Sequence, residues 1–187
     1  MVYYERNLPH WHPEGKPLFL TWRLHDSLPT SFVKYFRQTT DFQSGKAFVR
    51  FDHKLDEAKC GPTWLKHPRV AGTVVDTIQS ADCSAMYSLY AFVIMPNHVH
   101  MLIDPKVDLS EITKAIKGRS ARICNQILGR RGQPFWQAES YDHWVRSQGS
   151  FEKIRLYIER NPVVAGLAEN SDVWRWSSAY KRALPLA

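Results

Sequence analysis

The chain has 187 residues, 44% hydrophobic and 13% aromatic, with 25 lysines and arginines against 18 acids for a net charge of +7. That apolar share supports a core and excludes a disordered chain, the length suits one domain, and no apolar run approaches a membrane span. The basic balance favours a polyanionic partner such as nucleic acid, through counterion release.

Met1 to Pro9 carries charges and no apolar h-region, so a secretory signal is not expected and the predicted location is cytoplasmic. Cys60, Cys83 and Cys124 are widely spaced with no C-x-x-C pair, which predicts reduced thiols rather than a disulfide framework or zinc site.

Leu18 to His25 is rich in strand formers and ends before a turn at Leu28-Pro29. Residues 30 to 67, with scattered aromatics and Gly61-Pro62, are predicted as short helices and loops over one end of the domain. Pro68 opens a helix in which Val70, Val74, Val75 and Ile78 recur at helical spacing. Tyr87 to Met95 reads as a central strand, Pro96-Asn97 as a tight turn, and His98 to Asp104 as the second strand of a hairpin.

Asp108 and Glu111 form a capping-box pattern. The helix it opens is expected to reach about Leu128, with Ile112, Ala115, Ile116, Ile123 and Ile127 inward and Lys114, Lys117 and Arg122 outside. Gly129 to Pro134 breaks it. Tyr141 to Val145 predicts a strand, and Phe151 to Asn161 a last helix stopped by Pro162. Trp174 and Trp176 are expected to pack the tail back on the domain. The order gives an α+β fold: a ferredoxin-like split βαβ antiparallel sheet with helices on one face and an added C-terminal helix. Residues 1–187 read as one domain with an arm at 1–17, an insertion at about 26–67 and a tail at 163–187.

His98 and His100 stand two apart on a predicted strand, so both imidazoles leave the same face and their nitrogens can converge on one ion. Imidazole suits Mn, Zn, Fe or Ni, while Mg prefers oxygen that a substrate phosphate would supply. An isolated H-x-H is more often hydrogen-bonded and inert, so a third group is needed. On the last helix, Phe151, Ile154 and Ile158 form the apolar stripe, and Tyr157 and Asn161, one turn apart, flank it. Asn161 offers a carbonyl oxygen to a metal and Tyr157 a hydroxyl beside it. A free phenol is a poor nucleophile and becomes useful when a metal polarises a scissile phosphate. The chemistry would then be transesterification, with a 5′-phosphotyrosine formed and a 3′-hydroxyl released. Taken singly, Tyr157 reads as a packing residue and Asn161-Pro162 as a helix stop.

The combination resembles the REP-associated tyrosine transposases, within the single-tyrosine HUH transposases. The resemblance runs through Leu8–Pro13 (LPHWHP), Phe19–Trp22 (FLTW), Phe92–His100 (FVIMPNHVH), Pro134–Gln137 (PFWQ), Tyr141–Arg146 (YDHWVR), Tyr157–Pro162 (YIERNP) and Trp174–Ser178 (WRWSS), from one end of the chain to the other. It implies that His98 and His100 are the metal-binding pair, Tyr157 the nucleophile and Asn161 the helical residue that completes coordination of Mg or Mn, where insertion-sequence relatives often carry Gln. It further implies single-stranded or hairpin DNA with REP-like palindromes as partner, and a monomer or a homodimer; the insertion and the tail are positioned to block the dimer of the insertion-sequence enzymes.

Hairpin binding needs phosphate clamps and base readers. The candidates are Arg6, His10 and His12 in the arm, Lys114, Lys117, Arg119 and Arg122 on the capped helix, and Arg130 and Arg131 after it, with Trp11 or Trp136 to stack on unpaired bases. His143, within the Tyr141–Trp144 cluster, is expected to have a structural or orienting role. The competing readings are a domesticated protein that binds hairpins without cutting, and a hydrolytic metalloenzyme on a small molecule. The second lacks an H-E-x-x-H signature.

Overall fold

The computed structural model describes residues 2–5, 9–12, 15–29, 31–32, 45–57 and 61–181, with side chains at 15–29, 31–32, 49–57 and 61–181. Arg6 and Cys60 lie outside the described residues, and of His10, Trp11 and His12 only the backbone is described. Strands β1 (Val2–Glu5) and β2 (Pro9–His12) pair antiparallel as a separate hairpin. The main sheet holds β3 (Leu18–Arg23), β4 (Tyr87–Ile94), β5 (His98–Pro105) and β6 (Tyr141–Trp144), in the order β4-β5-β3-β6 with each pair antiparallel. Helices α1 (Gly45–Asp56), α2 (Pro68–Cys83), α3 (Leu109–Ile127) and α4 (Gln148–Val164) complete an α+β fold of the expected class.

Strand alternation divides the interior in two. Leu18, Leu20 and Trp22 of β3 and Val99, Met101 and Ile103 of β5 meet Val70, Val74 and Ile78 of α2 and Ile112 and Ile116 of α3. The opposite face carries Phe19, Ala91, Val93 and Leu102, covered by Ile158, Ile154 and Phe151 of α4. The hairpin at Pro96-Asn97 pairs β4 with β5, in register Val93↔His100 and Ile94↔Val99.

Several local expectations change. Asp108 stands at the N-cap of α3, yet its side chain makes no capping bond. Cys124, not Ile123, takes the core position at the end of α3. Pro162 lies inside α4, whose first turn is capped by Ser147, accepting from Ser150 N at 3.2 Å. A proline in the last turn costs one backbone bond, and the helix runs on to Val164 before Gly166, at φ +68°, reverses the chain. The region around residues 26–67 contains the three-turn helix α1. Gly61, at φ +95°, sits against the 26–27 turn, where an added Cβ would lie 2.6 Å from the Asp26 carbonyl oxygen.

The tail packs back as expected. Ile94 N donates to Trp176 O at 2.8 Å, Ser178 N to Phe92 O at 3.0 Å, and Trp174 Nε1 to Ile94 O at 3.1 Å, so residues 174–178 cover the outer edge of β4. Among the described residues no helix is long and apolar enough to cross a membrane.

Ile112 is fully buried between α3 and the sheet. Ile112→Ala is expected to cost about 2–5 kcal/mol, read as a lower urea midpoint at unchanged m-value.

Candidate metal and nucleophile site

The second face of the sheet carries polar side chains in its core. His98 and His100 leave β5 toward α4, both fully buried, with their Nε2 atoms 3.0 Å apart. Asn97 Nδ2 donates to the Leu55 carbonyl of α1 at 2.8 Å, which turns its Oδ1 toward His98 Nδ1 at 2.6 Å. That oxygen only accepts, so the His98 proton sits on Nδ1 and Nε2 keeps its lone pair. Thr21, opposite His100 in the β3–β5 register, places Oγ1 2.7 Å from His100 Nδ1.

Tyr157 and Asn161 of α4 reach the same point. The Tyr157 ring lies edge-on to the His100 and Phe19 rings. Asn161 is buried, with Nδ2 3.4 Å from His100 Nε2, and its Oδ1 has no hydrogen-bond partner.

Between β5 and α4 stands a residue that the sequence did not announce. Asp52 of α1 is 1% exposed and sends Oδ1 to within 3.2 Å of His100 Nε2 and 3.5 Å of His98 Nε2. Its Oδ2 accepts from the Tyr157 hydroxyl and, at 3.3 Å, from Asn161 Nδ2. One turn on, Asp56 Oδ1 lies 4.0 Å from His98 Nε2.

Burial and charge set the protonation of this cluster. Burial, against the attraction of Asp52, pushes His98 down to about 3, so it is neutral and its approach to Asp52 is not an ion pair. Burial alone would raise Asp52, but His100, His98 and the Tyr157 hydroxyl outweigh it and hold the carboxyl well below its usual range. Asp56 is lifted to about 7 by burial and then by the Asp52 charge. Burial and the same charge hold the Tyr157 phenol far above its ordinary value, so it is protonated and donates.

Asp52, His98 and His100 offer three ligand atoms within 4.8 Å of one another, all on buried residues. The buried oxygens of Asp52 and Asn161 and the Nε2 lone pair of His98 are the donor set that a divalent cation takes. The residues therefore fit a metal.

The family model for IS200-like transposases matches residues 62–161. The chain belongs to that family. The matched span carries His98, His100, Tyr157 and Asn161 and leaves out Asp52. Among solved structures, a REP-associated tyrosine transposase bound to a REP hairpin is similar over 95% of this chain and 82% of its own, at 17% identity and a TM-score of 0.59. A candidate transposase from Deinococcus radiodurans R1 aligns over 85% of this chain and 97% of its own, at 18% identity and a TM-score of 0.43. No curated protein matches the sequence significantly.

Among the described residues, the basic side chains singled out from the sequence do not gather at this site. Lys114, Arg119 and Arg122 are exposed on α3, which packs on the other face of the sheet. Lys117, also on α3, turns its ammonium to Gln137 O, Ala138 O and Ser140 Oγ at 2.8, 2.9 and 3.2 Å, tying down the approach to β6. Arg130 stacks 4.1 Å above the Trp64 ring, and Arg131 is exposed. Trp136 is a core residue, donating from Nε1 to Ser120 Oγ at 3.0 Å, so it offers no face to a base. His143 lies half-buried on β6 opposite Phe19. Asp52, Asn97 and Thr21 were not anticipated. The available signal for Asp52 was an acid set between Phe51 and Leu55, the buried apolar residues among the described side chains of α1.

Two of these groups pull the stability of the metal-free protein in opposite directions with pH. His98 is depressed, so the unfolded chain takes up its proton below about 6.5 while the native state stays neutral, and stability falls as pH drops toward 3. Asp56 is raised, so its contribution is full below 3.8 and is lost as pH rises through about 7. Removing the second effect with Asp56→Asn is expected to make stability climb between about pH 4 and 6.5, relative to wild type, by up to about 1.4 kcal/mol per pH unit. Urea titrations in chelator at four pH values would check this; parallel curves for the two proteins would contradict it.

Proposed function

We propose that the chain is a metal-dependent endonuclease and strand transferase for single-stranded DNA, acting next to short palindromic hairpins with Tyr157 as nucleophile. The observation that carries this reading is the convergence of Tyr157 and Asn161 from α4 on the His98–His100 pair of β5, joined through Asp52. The structural neighbour bound to a REP hairpin supports the choice of DNA.

His98, His100 and Asn161 would hold a divalent ion, Mg or Mn, which when bound polarises the scissile phosphate. Asn161 can offer its carbonyl oxygen by turning its amide about the last side-chain bond. Tyr157 Oη attacks phosphorus, the Oη–P bond forms as the P–O3′ bond breaks, and the phenolic proton is transferred in the net reaction to the departing 3′ oxygen. The product is a 5′-phosphotyrosine, and because one phosphodiester replaces another, religation needs no nucleotide cofactor. Thr21 and Asn97 fix the two imidazoles with Nε2 inward, so little reorganisation is needed at the step itself. Lys114, Arg119, Arg122 and Arg131, with Arg6, His10 and His12 of the arm, are the proposed phosphate and base contacts. Lys117 and Arg130 serve this surface indirectly, by fixing the segments they touch.

A hairpin-bearing single strand incubated with the protein and Mn should give a covalent adduct that survives denaturing electrophoresis. Tyr157→Phe is expected to abolish it, and His98→Ala to lower its rate by about 10³-fold or more. Persistence of the adduct in Tyr157→Phe would overturn the assignment.

Replacing Lys114, Arg119 and Arg122 together by alanine is expected to weaken hairpin binding and to flatten the slope of log K against log salt by about 0.7–0.9 for each phosphate no longer neutralised. Binding titrations between low and moderate salt would measure it, and an unchanged slope would place the DNA elsewhere.

A further inference from the structure

We infer that Asp52 is both a ligand of the ion and the holder of the nucleophile, which makes the inserted helix α1 part of the catalytic centre. The inference rests on the function proposed above and adds a residue outside the stretch that the family model covers.

Three observations meet on this carboxylate. The first is distance. His98 Nε2, His100 Nε2 and Asp52 Oδ1 form a triangle with sides of 3.0, 3.2 and 3.5 Å. Neighbouring donors around an ion with bonds of about 2.1 Å are separated by about 3.0 Å in octahedral and about 3.4 Å in tetrahedral geometry. The triangle therefore has the dimensions of one face of a coordination polyhedron. The second is satisfaction. Asp52 Oδ1 is buried against the two imidazole Nε2 atoms, a setting that is costly for an ionised carboxylate unless a cation meets it. The third is division of labour between the two oxygens: Oδ1 faces the imidazoles, while Oδ2 takes the Tyr157 hydroxyl and Asn161 Nδ2.

Packing explains why this residue is held so firmly. Phe51 and Leu55 on the buried side of α1 flank Asp52 in sequence, and the Leu55 carbonyl accepts from Asn97, whose other amide atom orients His98. One side-chain amide thus positions both the imidazole and the helix that brings the carboxylate to it. Asp52 touches the nucleophile directly, so ion and phenol are placed by the same rigid group.

Metal binding tests the inference separately from cleavage. Mn titrated into the chain by calorimetry is expected to bind wild type, with affinity at least tenfold weaker for Asp52→Asn. Asp52→Cys exchanges a hard oxygen for a soft thiolate, so Cd should give this variant a thiolate-to-cadmium absorption band. The band should exceed whatever the native cysteines give in wild type, and the excess should disappear from Asp52→Cys carrying His98→Ala and His100→Ala. If Asp52→Asn loses the native circular dichroism spectrum, the cadmium band decides. Asp52→Asn binding Mn as tightly as wild type, or Asp52→Cys giving no band beyond that of wild type, would overturn the role of Asp52 while leaving a Tyr157-dependent adduct intact. Wild type that binds no Mn, and forms no adduct, would overturn both this inference and the function it rests on.

Discussion

A central strand covered on both faces has no wet side, and β5 places two imidazoles on one of its dry faces. Val99, Met101 and Ile103 face α2 and α3, while His98, His100 and Leu102 face α4. Every other polar group at this face answers to that burial. Thr21 and Asn97 take up the Nδ1 atoms, and Asp52, Asn161 and Tyr157 gather around the Nε2 atoms. In a low-dielectric interior such a network is costly when partly satisfied and rigid when complete, which suits a site whose geometry must not drift.

The periodic elements were legible because their chemistry follows their period. A spacing of two on a strand put His98 and His100 on one face, and a spacing of four on a helix put Tyr157 and Asn161 on one side. The sheet and the helix order followed from the same patterns. Asp52 was not legible, because its partners lie 46, 48, 105 and 109 positions away, at His98, His100, Tyr157 and Asn161. Nothing local distinguishes it from a surface acid except its place in the apolar stripe of a helix that was itself expected only as fragments. Ends of elements were read less well than their cores. Pro162 is tolerated in the last turn of α4, and Asp108 begins α3 without its side chain bonding. In each case packing against the sheet outweighs the local signal. Basic residues were the least informative, since composition cannot say whether an ammonium such as that of Lys117 meets solvent or a carbonyl.

The position of α1 ties a segment outside the family's matched span to the His98–His100 cluster. Asn97 is the joint: one amide group connects the β4–β5 turn, the ring of His98 and the carbonyl of Leu55. A substitution there would disturb ring orientation and helix placement together, so the two cannot vary independently.

The C-terminal segment has an architectural effect of its own. Residues 176–178 already hydrogen-bond to Phe92 and Ile94, so the backbone groups that a sheet uses to recruit another strand are occupied along that border. Two molecules therefore cannot fuse their sheets into a continuous one through β4 without first peeling this segment away. On that side the protein carries its own stop to lateral growth.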